Sequence, residues 1–225
     1  MKLNKDELMY NYLHGTEIYL YQRKDMFRVN SDTFLLGTFM NIKKDETVLD
    51  VGTNNGALLL YASRFTNKLI GVDVLEEAIF LAQVNLEHNK IAGYQLINSR
   101  VQDLNIEPVD VIVCNPPYFT CGDNMNFNKY LKVARHEVCL TLEELFDSIN
   151  NLLKKTGRAY LVHRYTRIDD IVKVMNKRNL YLSRINKVYD TRIENYTSVL
   201  LEISFQESEV EVNTINYPME EERDD

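Results

Sequence analysis

The stretch from Thr47 to Asp73, "TVLDVGTNNGALLLYASRFTNKLIGVD", constrains the fold of this chain more than any other. Thr47 to Val51 is a short β-rich run, glycines stand at 52 and 56, Gly56 to Phe65 has the apolar content of a helix, and Lys68 to Asp73 is strand-like again. The pattern then repeats. Leu75 to Asn89 carries Ala78, Ile79, Ala82 and Leu86 at the spacing of one helical face, and Tyr94 to Asn98 and Asp110 to Cys114 are further strands. Leu142 to Lys154 is expected as a helix that ends near a capping Gly157, before strands at Arg158 to Val162, Tyr181 to Val188 and Thr197 to Phe205. Strands alternating with helices predict an α/β fold with a mostly parallel sheet and helices on both faces. The last two strands have no helix between them, so an antiparallel pair is expected at one edge.

Nothing in the rest of the chain suggests a repeat or a linker. The expected division is an extension over residues 1–46 packing on the cofactor and substrate side, a main domain over 47–206, and an acidic, disordered tail over 207–225. At 225 residues and 45% hydrophobic content this is the length and composition of one large globular domain. No apolar run reaches the roughly 20 residues of a membrane span. The opening "MKLNKDELMYNYLHG" lacks the apolar core of a secretory signal, and Cys114, Cys121 and Cys139 match no zinc spacing, so a cytoplasmic protein with reduced thiols and no metal is expected.

The net charge of −7 speaks against a polyanionic partner until it is divided along the chain. Glu202 to Asp225 holds nine acidic residues and one basic, so the remainder is close to neutral. Between Asn151 and Arg192 there are eleven Lys or Arg against three Asp, which is either a solvated face or the footprint of a polyanion.

The turn after the first strand carries Asp50, Gly52, Asn54 and Gly56. Glycines there let a backbone approach a ligand closely, and Asn54, in place of a middle glycine, is the next best residue for a left-handed turn. The second strand ends in Asp73 and Val74, about where an acid accepts the hydroxyls of a ribose; a cap for the following helix would explain Asp73 equally. Asp103, with Leu104, follows the third strand and suits either an adenine amino group or a turn. A carboxylate at Asp50 would repel a pyrophosphate and attract a sulfonium, which favours S-adenosylmethionine over a dinucleotide.

The fourth strand ends in "VDVIVCNPPYF". Pro116 and Pro117 supply no N–H to a ladder, and open α/β sheets bind ligands where parallel strands end. Together with "FRVNSDTFLLGTF", "VLDVGTNNG", "ARHE" and "GRAYLVHR", the "NPPYF" run resembles the class I, Rossmann-like, seven-stranded methyltransferases that act on amino groups, and more closely the bacterial valine-tRNA adenine N6-methyltransferases. The family usually has Gly at the place of Asn54.

That resemblance implies methyl transfer from S-adenosylmethionine, leaving S-adenosylhomocysteine, to the N6 amine of the adenosine 3′ of the anticodon. It implies that Asn115 and Pro116 accept the amine hydrogens, that Pro117 stiffens the backbone, that Tyr118 stacks on a flipped base and that Phe119 adds a second wall. The cofactor set is then Asp50, Gly52, Asn54, Gly56, Asp73, Val74, Asp103, Leu104 and Asn115. RNA is expected on Arg23, Lys24 and Arg28, on Lys129, Lys132 and Arg135, and on Arg164 and Arg167, with Thr120 to Ala134 ordering when tRNA binds. No metal, membrane or obligate protein partner is implied. The rivals are a protein glutamine N5-methyltransferase acting on a release factor, an rRNA amino methyltransferase, and a non-catalytic RNA-binding module of the same fold.

Overall fold

Successive residues of a strand point to opposite faces of its sheet, and here both faces are apolar. Val48, Val111, Val113, Tyr160, Val162 and Leu200 fill one core, while Leu49, Val51, Ile112, Ala159, Leu161 and Val199 fill the other. Burial on both sides is why these strands are continuous apolar runs without alternation. The computed structural model describes residues 8–116 and 140–218. Among them the strands are β1 (Leu8–Tyr12), β2 (Tyr19–Arg23), β3 (Thr47–Val51), β4 (Lys68–Asp73), β5 (Tyr94–Asn98), β6 (Val109–Cys114), β7 (Leu153–Arg164), β8 (Tyr181–Asp190), β9 (Asn195–Ser204) and β10 (Glu211–Tyr217). The helices are α1 (Ser31–Phe39), α2 (Ala57–Ala62), α3 (Glu76–His88), α4 (Leu142–Leu152) and α5 (Ile168–Asn176).

The main sheet has the order β10-β8-β9-β7-β6-β3-β4-β5, and only β9 runs against its neighbours. Helices α1 and α2 cover the first core, and α4 and α5 the second. The sheet thus has an eighth strand outside the expected antiparallel pair. Residues 211–217, expected within a disordered tail, pair in parallel with β8 from Arg184 to Asp190 and pack Ile215 and Tyr217 against the first core. The acidic residues of the tail lie mostly to either side of this strand, which carries only Glu211 and pairs through its backbone with a distant strand.

Two further expectations change. Helix α4 stops at Leu152, so Gly157 is not its cap; Gly157 lies in β7, where a Cβ would come within 2.7 Å of the Asp110 carbonyl oxygen. Helix α5, between β7 and β8, was not foreseen, although Ile171, Val174 and Met175 form its buried stripe.

The described residues before β3 form a hairpin, β1–β2, and helix α1. One buried amide joins the hairpin to the rest. The Asn85 Oδ1 accepts from the Tyr21 N–H at 2.7 Å, and its Nδ2 donates to the carbonyl oxygens of Tyr21 and Asn55 at 2.9 and 2.8 Å. Helix α1 meets α2 where Gly37 lies under the Tyr61 ring, which leaves no room for a Cβ.

Candidate functional site

The carboxyl ends of β3, β4 and β6 face a cleft of about 320 Å³ whose opposite wall is the segment from Phe27 to Thr33. The floor is the turn after β3. Gly52 (φ 74°) and Thr53 donate their N–H groups to the Val72 carbonyl oxygen at 2.9 and 3.0 Å, which folds the turn back over β4. A Cβ on Gly52 would meet nothing within 4 Å, so the bare backbone faces open space. Gly56 (φ 78°) brings the start of α2 against α3, where a Cβ would sit 3.3 Å from Ala82. Asn54 keeps the left-handed conformation (φ 48°) expected of it, and its Nδ2 donates to the Phe27 carbonyl oxygen at 2.7 Å. The replacement for glycine therefore ties the floor to the far wall.

Asp73 accepts the Asn54 N–H on Oδ2 at 2.9 Å and the Leu75 N–H on Oδ1 at 3.0 Å. The N-cap of α3 is Leu75, so Asp73 holds the turn in place of capping the helix. Each oxygen keeps a second lone pair, and Asp73 lines the cleft with Val74 beside it. Burial raises its carboxyl above the usual range.

Asp50 does not line the cleft. It is 1% exposed beneath the floor, its Oδ2 accepts from Thr53 Oγ1 at 2.8 Å, and its Oδ1 has no partner among the described residues. Burial, with Asp73 nearby, pushes its carboxyl up to about 7. Asp50, expected among the cofactor residues, therefore lies behind the floor and not on the cleft. Asp103 and Leu104 also fall outside the cleft. Asp103 is exposed, Leu104 packs against the second core, and Ser99, Arg100, Val101 and Gln102 line the wall in their place.

Asn115 and Pro116 close the cleft at the end of β6. The Asn115 Nδ2 donates to Thr33 Oγ1 at 3.1 Å, and among the described residues nothing donates to its Oδ1. Cys114 is buried beside them, and burial pushes its thiol up, so it stays protonated and is no nucleophile. Pro117, Tyr118, Phe119, Lys129, Lys132, Arg135 and the whole segment from Thr120 to Ala134 lie outside the described residues.

Of the cations expected to meet RNA, Arg28 and Arg164 are exposed and line the cleft. Arg23 and Arg167 do not line it; they pair with Asp25 at 2.6 Å and Asp170 at 2.7 Å. Lys24 is exposed away from it. Arg100, passed over in the sequence, is exposed on the cleft 3.6 Å from Glu144. Asn30, Thr33 and Asn55 were also passed over. The one local signal was the spacing of Asn30 and Thr33, an N-cap pattern: Asn30 Oδ1 accepts the Thr33 N–H at 3.1 Å at the start of α1.

The cleft suits S-adenosylmethionine on three counts. It has an open glycine backbone at Gly52, a carboxylate at Asp73 with spare acceptor capacity, and at Asn55 a buried Nδ2 with no partner among the described residues. A nucleoside with an amino-acid tail offers hydroxyls to the second and a carboxylate to the third. Among the described residues no group of three or more His, Cys, Asp or Glu is placed to hold a metal, and no helix is long and apolar enough to cross a membrane.

Residues 42–210 match the methyltransferase-domain family. The chain is 30% identical to the tRNA1(Val) (adenine(37)-N6)-methyltransferase of Parabacteroides distasonis, over 77% of this chain and 75% of that one. It is 27% identical to the enzyme of the same name from Aliivibrio salmonicida, over 78% and 76% of the two chains. Its fold matches the T. thermophilus 16S rRNA N2 G1207 methyltransferase, in complex with AdoMet and guanosine, with a TM-score of 0.63 and 17% identity over 88% of this chain and 50% of that one.

Proposed function

The chain belongs to the methyltransferase-domain family and within it to the tRNA1(Val) (adenine(37)-N6)-methyltransferases, and from that premise we infer that its cleft methylates the N6 amine of an adenine in tRNA. The substrate proposed is the adenosine 3′ of the anticodon in valine tRNA. The observation that carries the reading is the Asn115 amide at the end of β6, with its N–H₂ held by Thr33 and its Oδ1 left for an incoming donor.

An adenine N6 amine is a poor nucleophile because its lone pair is delocalised into the ring. Bound in the cleft, S-adenosylmethionine supplies an electrophilic methyl group on a cationic sulfur. Asn115 Oδ1 and the Pro116 carbonyl oxygen accept the two amine hydrogens, return electron density to the nitrogen and fix its direction. Pro117, Tyr118 and Phe119 are assigned the roles that the family resemblance implies, backbone stiffening and walls for an extruded base. Asp73 and Gly52 receive the cofactor, while Arg28, Arg164 and Arg100 give the cleft mouth the positive charge a phosphate backbone requires. A protein glutamine N5-methyltransferase would use the same acceptors but has no need of those arginines.

Incubation with labelled cofactor and, separately, total tRNA, free rRNA and a release factor tests the substrate class. Label is expected in tRNA alone, and label in the release factor alone would refute the reading. Asn115→Ala is expected to abolish transfer while calorimetry shows cofactor affinity nearly intact.

A further inference from the structure

We propose that Thr33, locked by Asn30, is the positioning residue that sets which way the Asn115 amide points. The proposal rests on Asn115 accepting the substrate amine. An asparagine side chain has a donor end and an acceptor end of nearly the same shape, so a catalytic acceptor needs something to keep it from turning over.

Three side chains on the cleft form a directed chain of hydrogen bonds. Asn115 Nδ2 donates to Thr33 Oγ1 at 3.1 Å, and Thr33 Oγ1 donates to Asn30 Oδ1 at 3.1 Å. Asn30 Oδ1 also receives the Thr33 backbone N–H at 3.1 Å, because Asn30 is the N-cap of α1. A hydroxyl has one proton. With that proton spent on Asn30, Thr33 can only accept, and the group it accepts from must be the amide N–H₂. Turning Asn115 over would set its carbonyl against the Thr33 lone pairs, or would pull the hydroxyl proton away from the cap. The direction of the bonds at a helix start 82 residues away in sequence therefore aims the Asn115 oxygen into the cleft.

Steady-state kinetics on the full chain with tRNA, compared with cofactor calorimetry, test the idea. In Thr33→Val kcat is expected to fall by about 10- to 100-fold, the cost of a misaligned reacting pair, with KM for tRNA and cofactor Kd unchanged. Thr33→Ser keeps the hydroxyl and is expected to restore kcat. Asn30→Asp keeps an acceptor and should retain more kcat than Asn30→Ala, which should follow Thr33→Val; this second pair decides the matter if Thr33→Val fails to fold. Wild-type kcat in Thr33→Val beside an inactive Asn115→Ala overturns the positioning role. So does an equal loss in Thr33→Val and Thr33→Ser, or a loss of cofactor affinity that matches the loss of rate. An active Asn115→Ala would instead overturn the underlying assignment of Asn115.

Discussion

Asp50→Asn is expected to change how the stability of the ligand-free protein depends on pH. The Asp50 carboxyl is 1% exposed, and burial pushes it up to about 7 from the usual 3.8. Between those values the folded chain holds a proton that the unfolded chain has released, so the stabilisation is fully present below 3.8 and is lost as pH rises through 7. A shift of about 3 units at roughly 1.36 kcal/mol each is about 4 kcal/mol over the whole window, of which about 3 kcal/mol falls between pH 5 and 8. The substituted amide is neutral throughout and loses none of it. Its new N–H₂ would occupy the place of Asp50 Oδ1, which has no partner among the described residues, at a pH-independent cost of about 1–3 kcal/mol. Urea unfolding of both proteins at pH 5, 6, 7 and 8 without cofactor separates the two effects. The difference in unfolding free energy should move towards the variant by about 3 kcal/mol from pH 5 to pH 8, whatever its starting sign. A constant difference would mean that Asp50 ionises in the fold as it does in water, and the argument from burial would fail.

Asp73→Ala should weaken cofactor binding by about 1.5–3 kcal/mol, the worth of hydrogen bonds to a charged group; a variant that titrates like wild type would leave Asp73 only its hold on the Asn54 and Leu75 N–H groups. RNA affinity should fall steeply with salt, and Arg28→Ala and Arg164→Ala, at the cleft, should each reduce the slope of log K against log salt by about one unit. Unchanged slopes in both would remove the case for the cleft-mouth arginines.

Strands β3, β4 and β5 have the bounds expected from sequence because each is a β-rich run closed by a polar or glycine turn, mostly buried in β3 and β4 and half-exposed at the sheet edge in β5, a signal contained within a few residues. Strand β10 was not legible, since what makes Glu211–Tyr217 a strand is the free edge of β8 more than twenty residues earlier. Helix α5 was hidden by its own surface: the lysines, arginines and aspartates around it drew the reading to charge, while Ile171, Val174 and Met175 carried the helical period. At the site, Gly52, Asn54, Asp73 and Asn115 could be named because each follows a strand end in a fixed pattern. The exchange of Asp103 for Gln102 on the wall depends on the rotation of a single tight turn over Val101–Asp103, which composition does not encode. Thr33 was out of reach for the opposite reason, as its role exists only once α1 and the end of β6 are side by side.

Asn85 holds the hairpin by the N–H and C=O of Tyr21, groups that every residue but proline presents. That contact sets the phase of β2 whatever side chain stands at position 21, because a slip of one residue turns the outward-facing peptide groups to the other edge of the ribbon. The side chains are held separately, Tyr21 between Tyr10 and His88 and Leu20 fully buried in the first core, so relatives that keep an amide at the place of Asn85 should keep both the length of β2 and a bulky apolar residue at the place of Leu20.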